Sequence, residues 1–309
     1  MAALWGCVAT LRGWRRDAPA DARALHLERT AERALGLFSA ACGLACGSVA
    51  LTVLAADELA PSLRGAACAY GVLSAAPGGM DALAVSGVAL ALASGWWRLR
   101  RVDARLPRGS LVRLLAALAL PVGAALLLDA WLSLRALSGL DLGVRASCCA
   151  VAPVASSGLL EAPVTSLGAL QVLARESALG GAALVAAGAL TLEVTALRAW
   201  SLGVVSLAAV GPSLRALTDL AAPWVLGRPE HRCAFCLLRA EASPAGPVVL
   251  LGLALALSSG LGALWVAPVL RRGSLAREAA RRELHALARS AGLGWVLAAL
   301  GLLGARLAG

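Results

Sequence analysis

Uncharged apolar runs bounded by arginine are the feature that most constrains the fold of this chain. The first run, Ala34–Ala56, contains 23 residues without a charge. At about 1.5 Å per residue, a helix of this length crosses the roughly 30 Å hydrocarbon core of a bilayer. Further runs predict spans at 82–97, 111–131, 248–269 and 293–303, with a longer, interrupted run at 180–210. The sequence therefore predicts an all-α, polytopic transmembrane helix bundle with six or seven spans.

The composition agrees with a membrane location and argues against a soluble enzyme. The chain is 60% hydrophobic with a mean hydropathy of +0.79, whereas ordinary globular chains are about 45–50% apolar. All 28 basic residues are arginine, and they give a net charge of +10. Because these arginines flank apolar runs, they indicate membrane topology rather than a nucleic-acid surface. We expect a lipid bilayer as the main partner and no nucleic acid.

The absence of lysine is typical of a GC-rich genome and points to a bacterium, and hence to the inner membrane. Residues 1–33 are interpreted as a cytoplasmic N-terminal segment. Residues 34–308 are interpreted as the transmembrane helical domain, with a cysteine-containing loop at about 211–246. The opening stretch, Met1–Leu11, has no basic residue ahead of its apolar part, so it does not predict a secretory signal.

The number of spans depends on one weakly apolar region. If 180–210 is one span and nothing else crosses, the chain has six spans. If Cys149–Ala174 also crosses, it has seven, and the arginine-rich segments 98–113 and 271–289 then both lie in the cytoplasm. That arrangement satisfies the positive-inside rule. The sequence favours seven spans, although two prolines interrupt the extra one.

The clearest chemical motif is His231-x-Cys233-x-x-Cys236, which lies in a proline-punctuated loop between two apolar runs. A C-x-x-C turn brings two sulfurs together, which suits a thiophilic metal such as copper or zinc. His231 would be a third ligand. The same spacing also suits a redox dithiol, in which a neighbouring imidazolium lowers a thiol pKa. Cys148 and Cys149 are candidate partner thiols, since an adjacent pair does not easily chelate one ion with both sulfurs.

Multiple spans, Cys148-Cys149 and a later Cys233-x-x-Cys236 are together similar in plan to membrane thiol oxidoreductases of the vitamin K epoxide reductase type. This resemblance covers a few residues and implies a thiol–disulfide oxidoreductase. In that family the C-x-x-C ends a helix near a quinone, whereas here it lies in a proline-rich loop. A third interpretation is a transporter subunit or scaffold in which the cysteine loop has no chemistry.

Ionisable residues near the apolar runs are further candidates, because charge within a membrane is costly. Glu193 is the candidate for an intramembrane ion or proton site. Glu193 and Arg198 are five positions apart and are expected to pair with other helices, and Asp129 is expected to be structural. No catalytic residue is identified, because the sequence contains no phosphate-binding loop, nucleophile elbow or H-E-x-x-H motif. The sequence therefore favours a binding protein over an enzyme, with a membrane or periplasmic protein as its partner.

Overall fold

A computed structural model describes residues 1–13, 22–66, 68–106, 110–143, 166–226, 233–238 and 244–308. Within these ranges all regular secondary structure is helical. The α-helices are α1 (Ala2–Gly13), α2 (Ala22–Leu59), α3 (Ala69–Ala75), α4 (Gly79–Asp103), α5 (Val112–Ser138), α6 (Ser166–Leu192), α7 (Ala196–Ala216), α8 (Ala222–Leu226), α9 (Ala245–Val266) and α10 (Ser274–Ala308).

Six helical segments of the described chain are long and apolar enough to cross a membrane, which confirms the predicted multi-pass helical bundle. They are Leu25–Ser62, Gly79–Asp103, Val112–Ser138, Ala196–Ala221, Ala245–Arg271 and Ser274–Gly304. Many of their leucines are exposed, for example Leu44 and Leu251. Exposed apolar side chains on these segments suit contact with lipid acyl chains, which solvate them as the core of a soluble protein would.

Helix α2 is longer than the sequence analysis predicted. Residues 1–33 were interpreted as a cytoplasmic segment that precedes a span from residue 34. Instead, one continuous helix of 38 residues begins at Ala22, with a length of about 57 Å. The polar first turns of this helix, which contain Arg29 and Glu32, continue directly into its apolar part. These first turns contain no glycine or proline that would end the helix.

The chain divides into two compact units, and each is described by itself. The first comprises Met1–Leu54, Ala76–Leu140 and Trp265–Glu283. Within it α4 packs along α5, and α1 packs against α5, where Leu4 covers Gly123. The buried indole of Trp96 donates a hydrogen bond to the Leu115 carbonyl at 2.9 Å and meets the Phe38 ring edge-on at 4.7 Å. These contacts join α2, α4 and α5.

Buried carboxylates also join the helices of the first unit. Asp129 on α5 accepts a short hydrogen bond from Ser86 on α4, which agrees with its expected structural role. Asp103, at the end of α4, accepts a hydrogen bond from the Leu111 backbone at 2.8 Å and pairs with Arg100 at 3.0 Å. Burial of these carboxylates is tolerated because each has a hydrogen-bond donor.

The second unit comprises Ala55–Ala75, Asp141–Leu264 and Leu284–Gly309. It corrects the interpretation of 180–210 as one apolar run, because α6 ends at Leu192 and α7 begins at Ala196. The two helices pack against each other as an antiparallel hairpin. Thr195 has extended backbone geometry and caps α7 by accepting a hydrogen bond from the Arg198 amide at 3.3 Å. This N-cap explains why helix α7 starts where it does.

Helices α9 and α10 of the second unit cross at backbone contact. A Cβ at Gly252 would lie 2.5 Å from the Ala298 amide, and one at Gly294 would overlap the Ala256 amide. Close approach through small residues is the usual way in which membrane helices associate. The crossing therefore holds α9, which follows the cysteine motif in the chain, against α10.

Candidate metal centre

The cysteine motif follows helix α8 and lies outside the six candidate spans. The structure describes Cys233 and Cys236, whereas His231, Cys148 and Cys149 lie outside the described residues. The predicted loop at 211–246 contains more helix than the sequence suggested. Helix α7 continues through a π-helical turn, Leu217–Ala221, into α8, which ends at Leu226.

A third cysteine joins this pair. Cys68 lies between α2 and α3, and its sulfur is 3.5 Å from the sulfur of Cys233. The Sγ atoms of Cys68, Cys233 and Cys236 all lie within 4.8 Å of one another. All three side chains are buried, with exposed fractions of 0%, 5% and 5%. The structure therefore brings together three thiols from two distant parts of the second unit.

Local backbone geometry aligns the two sulfurs of the C-x-x-C motif. The segment Ala234–Leu238 forms a 3₁₀ helix, and the Cys236 amide donates a hydrogen bond to the Cys233 carbonyl at 3.2 Å. A 3₁₀ helix has three residues per turn, so side chains three positions apart lie above one another. The fully buried Leu237 anchors the segment, and its carbonyl packs directly against Gly246 at the start of α9. A larger residue than glycine at that position would displace the motif.

The segment around Cys68 is also held by specific contacts. Asp57, at the end of α2, accepts a hydrogen bond from the Ala69 amide at 3.1 Å. The Cys68 carbonyl accepts a hydrogen bond from the Gly71 amide at 3.0 Å, which begins α3. The rings of Tyr70 and Phe235 lie 6.4 Å apart and connect this segment to the C-x-x-C segment. The thiol of Cys68 is thus fixed by its neighbours on both sides.

The two sulfurs of the C-x-x-C motif differ in acidity. Sulfur hydrogen bonds from Cys236 and then from Cys68 hold the pKa of Cys233 far below the ordinary thiol value of 9.0. The pKa of Cys236 is raised, first by its sulfur hydrogen bond with Cys233, then by that with Cys68 and by burial. One thiolate stabilised by thiol donors is therefore the favoured charge state, because a second buried negative charge would repel the first.

This arrangement fits a three-coordinate thiophilic ion. A metal–sulfur bond of about 2.3 Å in trigonal geometry places the sulfurs about 4 Å apart. The sulfurs of Cys68 and Cys233 are 3.5 Å apart, and all three sulfurs lie within 4.8 Å of one another. The separation that a trigonal site needs lies between these two distances. Leu226 and Phe235 pack against the three cysteines. Small side-chain rotations would therefore bring all three sulfurs into contact with one ion in an apolar setting.

The structure places Glu193 in the turn between α6 and α7. Its side chain is 67% exposed and pairs with Arg198 at 3.2 Å. The expectation that these two residues pair with other helices is wrong, because the chain reverses between them and brings them together. The assignment of Glu193 as an ion or proton site stays a prediction.

Cys68 is the site residue that sequence reasoning missed. It has no motif of its own, and 165 positions separate it from Cys233. Membrane topology could have pointed to Cys68. In the seven-span arrangement, the loops that contain Cys68 and Cys233 lie on the same side of the membrane. The neighbouring Tyr70, the single tyrosine of the chain, also lies next to the C-x-x-C segment.

No family model, curated protein or solved structure matches the chain. Its function is therefore argued from the site alone.

The acidity difference gives a testable pH dependence. We expect wild-type protein with reduced thiols to carry one thiolate at neutral pH, seen as thiolate ultraviolet absorbance that Cys233→Ser removes. Since the pKa of Cys233 is lowered, this absorbance should persist well below the ordinary pKa of 9.0 and be lost only in strong acid. Cys46→Ser, which replaces an exposed cysteine outside the cluster, should leave it unchanged. Absorbance that appears only above the ordinary thiol pKa would contradict the assignment.

Proposed function

We propose that this chain is a multi-pass membrane protein that binds one thiophilic metal ion through Cys68, Cys233 and Cys236. The observation that carries the proposal is the convergence of three buried sulfurs within 4.8 Å. Buried thiols are soft ligands, which select copper(I) or zinc rather than magnesium or calcium. Metal handling, sensing or delivery are the roles that suit such a site.

The number of ligands favours copper(I). The described cluster offers three sulfurs, and soft thiolate ligands suit copper(I). Binding would release the thiol protons, because the thiolate is the form that coordinates a metal. Zinc usually takes four ligands, so a zinc site would require His231 as well. Replacing His231 with alanine is therefore expected to weaken zinc binding more than copper(I) binding.

The sulfur contact also supports seven crossings. Among the described residues, three candidate spans separate Cys68 from Cys233: Gly79–Asp103, Val112–Ser138 and Ala196–Ala221. Two residues on the same side of a membrane must be separated by an even number of crossings. We infer that helix α6, which has 27 residues, packs against α7 and is not among the six candidate spans, supplies the fourth crossing. The seventh span is then α6, whereas the predicted extra span Cys149–Ala174 lies mostly outside the described residues.

The arginines orient this arrangement. One span separates Cys68 from the arginines at 98–113, and one separates Cys236 from those at 271–289. Arginine-rich ends are retained in the cytoplasm, so the cysteine site faces the opposite side and the N-terminus is cytoplasmic. In a bacterial inner membrane the site would face the periplasm, where a membrane or periplasmic protein partner would exchange the ion.

A second candidate function is thiol–disulfide exchange. The 3.5 Å separation of the Cys68 and Cys233 sulfurs favours it, together with the lowered pKa of Cys233. The Cys233 thiolate would attack a disulfide of a partner protein, releasing one partner thiolate. Cys68 would then displace the second partner thiolate, forming the Cys68–Cys233 disulfide as the partner gains two electrons. This reaction differs from metal binding in its product, an intramolecular disulfide with a measurable potential.

Metal uptake tests the first candidate. Detergent-purified protein with reduced thiols is expected to retain about one copper(I) per chain after desalting, as the trigonal site implies. Cys68→Ser, Cys233→Ser and Cys236→Ser should each weaken binding by more than about tenfold, because even outer-shell changes cost about 10–100-fold. Metal analysis by mass spectrometry and a competing copper(I) chelator provide the measurement.

The matched control is Cys46→Ser, since Cys46 is a free and exposed cysteine outside the cluster. It should bind as wild type does. Metal uptake that Cys68→Ser does not alter would show that Cys68 is not a ligand. If wild-type protein binds neither copper nor zinc and contains a disulfide between Cys68 and Cys233, the result would contradict metal binding and support thiol–disulfide exchange.

Orientation is tested with two exposed arginines. Arg64 lies in the segment before Cys68, and Arg282 lies on the arginine-rich side. In intact spheroplasts, a membrane-impermeant maleimide should label the Arg64→Cys variant. It should label the Arg282→Cys variant only after lysis. Wild-type protein gives the background labelling of the native thiols. Labelling in the reverse order would contradict the proposed orientation.

A further inference from the structure

A second candidate site lies in the first unit, in a cleft of about 250 Å³ between the α4–α5 turn and the start of α10. Its apolar wall includes Leu106, Leu111 and Leu275, and its polar wall includes Ser110 and Arg272. The cleft is therefore lined by both apolar and polar residues, one of which is cationic.

The polar wall has unused capacity to bind an anion. The Ser110 hydroxyl oxygen is enclosed and has no hydrogen-bond partner among the described residues. Arg272 forms no ion pair with a carboxylate of the described chain. Gly273 and the first three residues of α10, Ser274–Ala276, also line the cleft, and the backbone N–H groups at this helix start add positive potential.

The nearby carboxylates are already engaged. Glu283 is fully buried and pairs with Arg98 at 3.4 Å, Arg101 at 3.8 Å and Arg105 at 3.0 Å. Asp103 pairs with Arg100, and Glu278 pairs with Arg282. Three arginines around one carboxylate leave a net positive charge in this part of the unit. None of the residues that line the cleft is acidic.

The position of the cleft along the chain indicates the kind of anion. Leu106 and Ser110 lie between the candidate spans Gly79–Asp103 and Val112–Ser138, and Arg272 lies between Ala245–Arg271 and Ser274–Gly304. Residues between consecutive spans lie at the depth of lipid headgroups. We propose that this cleft binds the phosphate of an anionic phospholipid headgroup through Arg272 and Ser110, with the glycerol region against the leucines.

Native mass spectrometry of the detergent-purified full chain tests this proposal with phosphatidylglycerol as the probe and phosphatidylcholine as the zwitterionic comparison. Near a membrane surface one arginine contributes about 1 kcal/mol, or about fivefold in affinity. Arg272→Gln should therefore reduce phosphatidylglycerol affinity about fivefold. Ser110→Ala should reduce it by a smaller factor. Phosphatidylcholine should bind more weakly to all forms.

Arg282→Gln is the matched control, because Arg282 lies on helix α10, which begins two residues after Arg272, is exposed and pairs with Glu278 outside the cleft. It should leave phosphatidylglycerol affinity unchanged. An equal loss in Arg272→Gln and Arg282→Gln would overturn the proposal in favour of a diffuse basic surface. Displacement of the lipid by equimolar inorganic phosphate would also overturn it, because a free anion would then be the ligand.

Discussion

The contact between the sulfurs of Cys68 and Cys233 constrains the path of the 165 positions that separate them. Two loops can share a buried site only if the intervening chain returns to the same side of the membrane. Three candidate spans lie between the two cysteines, and this requirement is the reason for the proposal that α6 is a further crossing. The proposed site and the proposed topology therefore depend on the same contact.

Buried charge is handled differently at the two polar centres of the protein. Glu283 is paired with three arginines, and removing one partner of such a buried pair typically costs about 3–5 kcal/mol. At the cysteine cluster, hydrogen bonds from two thiols and from the backbone of Cys236 and Phe235 lower the pKa of Cys233. Leu226 and Phe235 pack against the three cysteines. A ligand is proposed for the second centre because its soft donor atoms suit a thiophilic cation.

The sequence predicted the helical class and the positions of most spans, because long apolar runs have few folded solutions outside a bilayer. It did not predict the break at 193–195, since the Thr195 cap is one residue within a long apolar stretch. It identified Cys233 and Cys236 from their spacing alone. Cys68 was missed because its role depends on a contact between distant segments, and the spacing of nearby residues does not predict such a contact.

We propose that Cys68, Cys233 and Cys236 bind one ion together. X-ray absorption spectroscopy at the copper edge of the copper(I)-loaded protein is the decisive measurement, because the spectrum counts the sulfur atoms bound to the metal. We expect three sulfur neighbours at about 2.3 Å, decreasing to two in Cys68→Ser. A shell of nitrogen and oxygen alone, or a sulfur number that Cys68→Ser leaves unchanged, would contradict it.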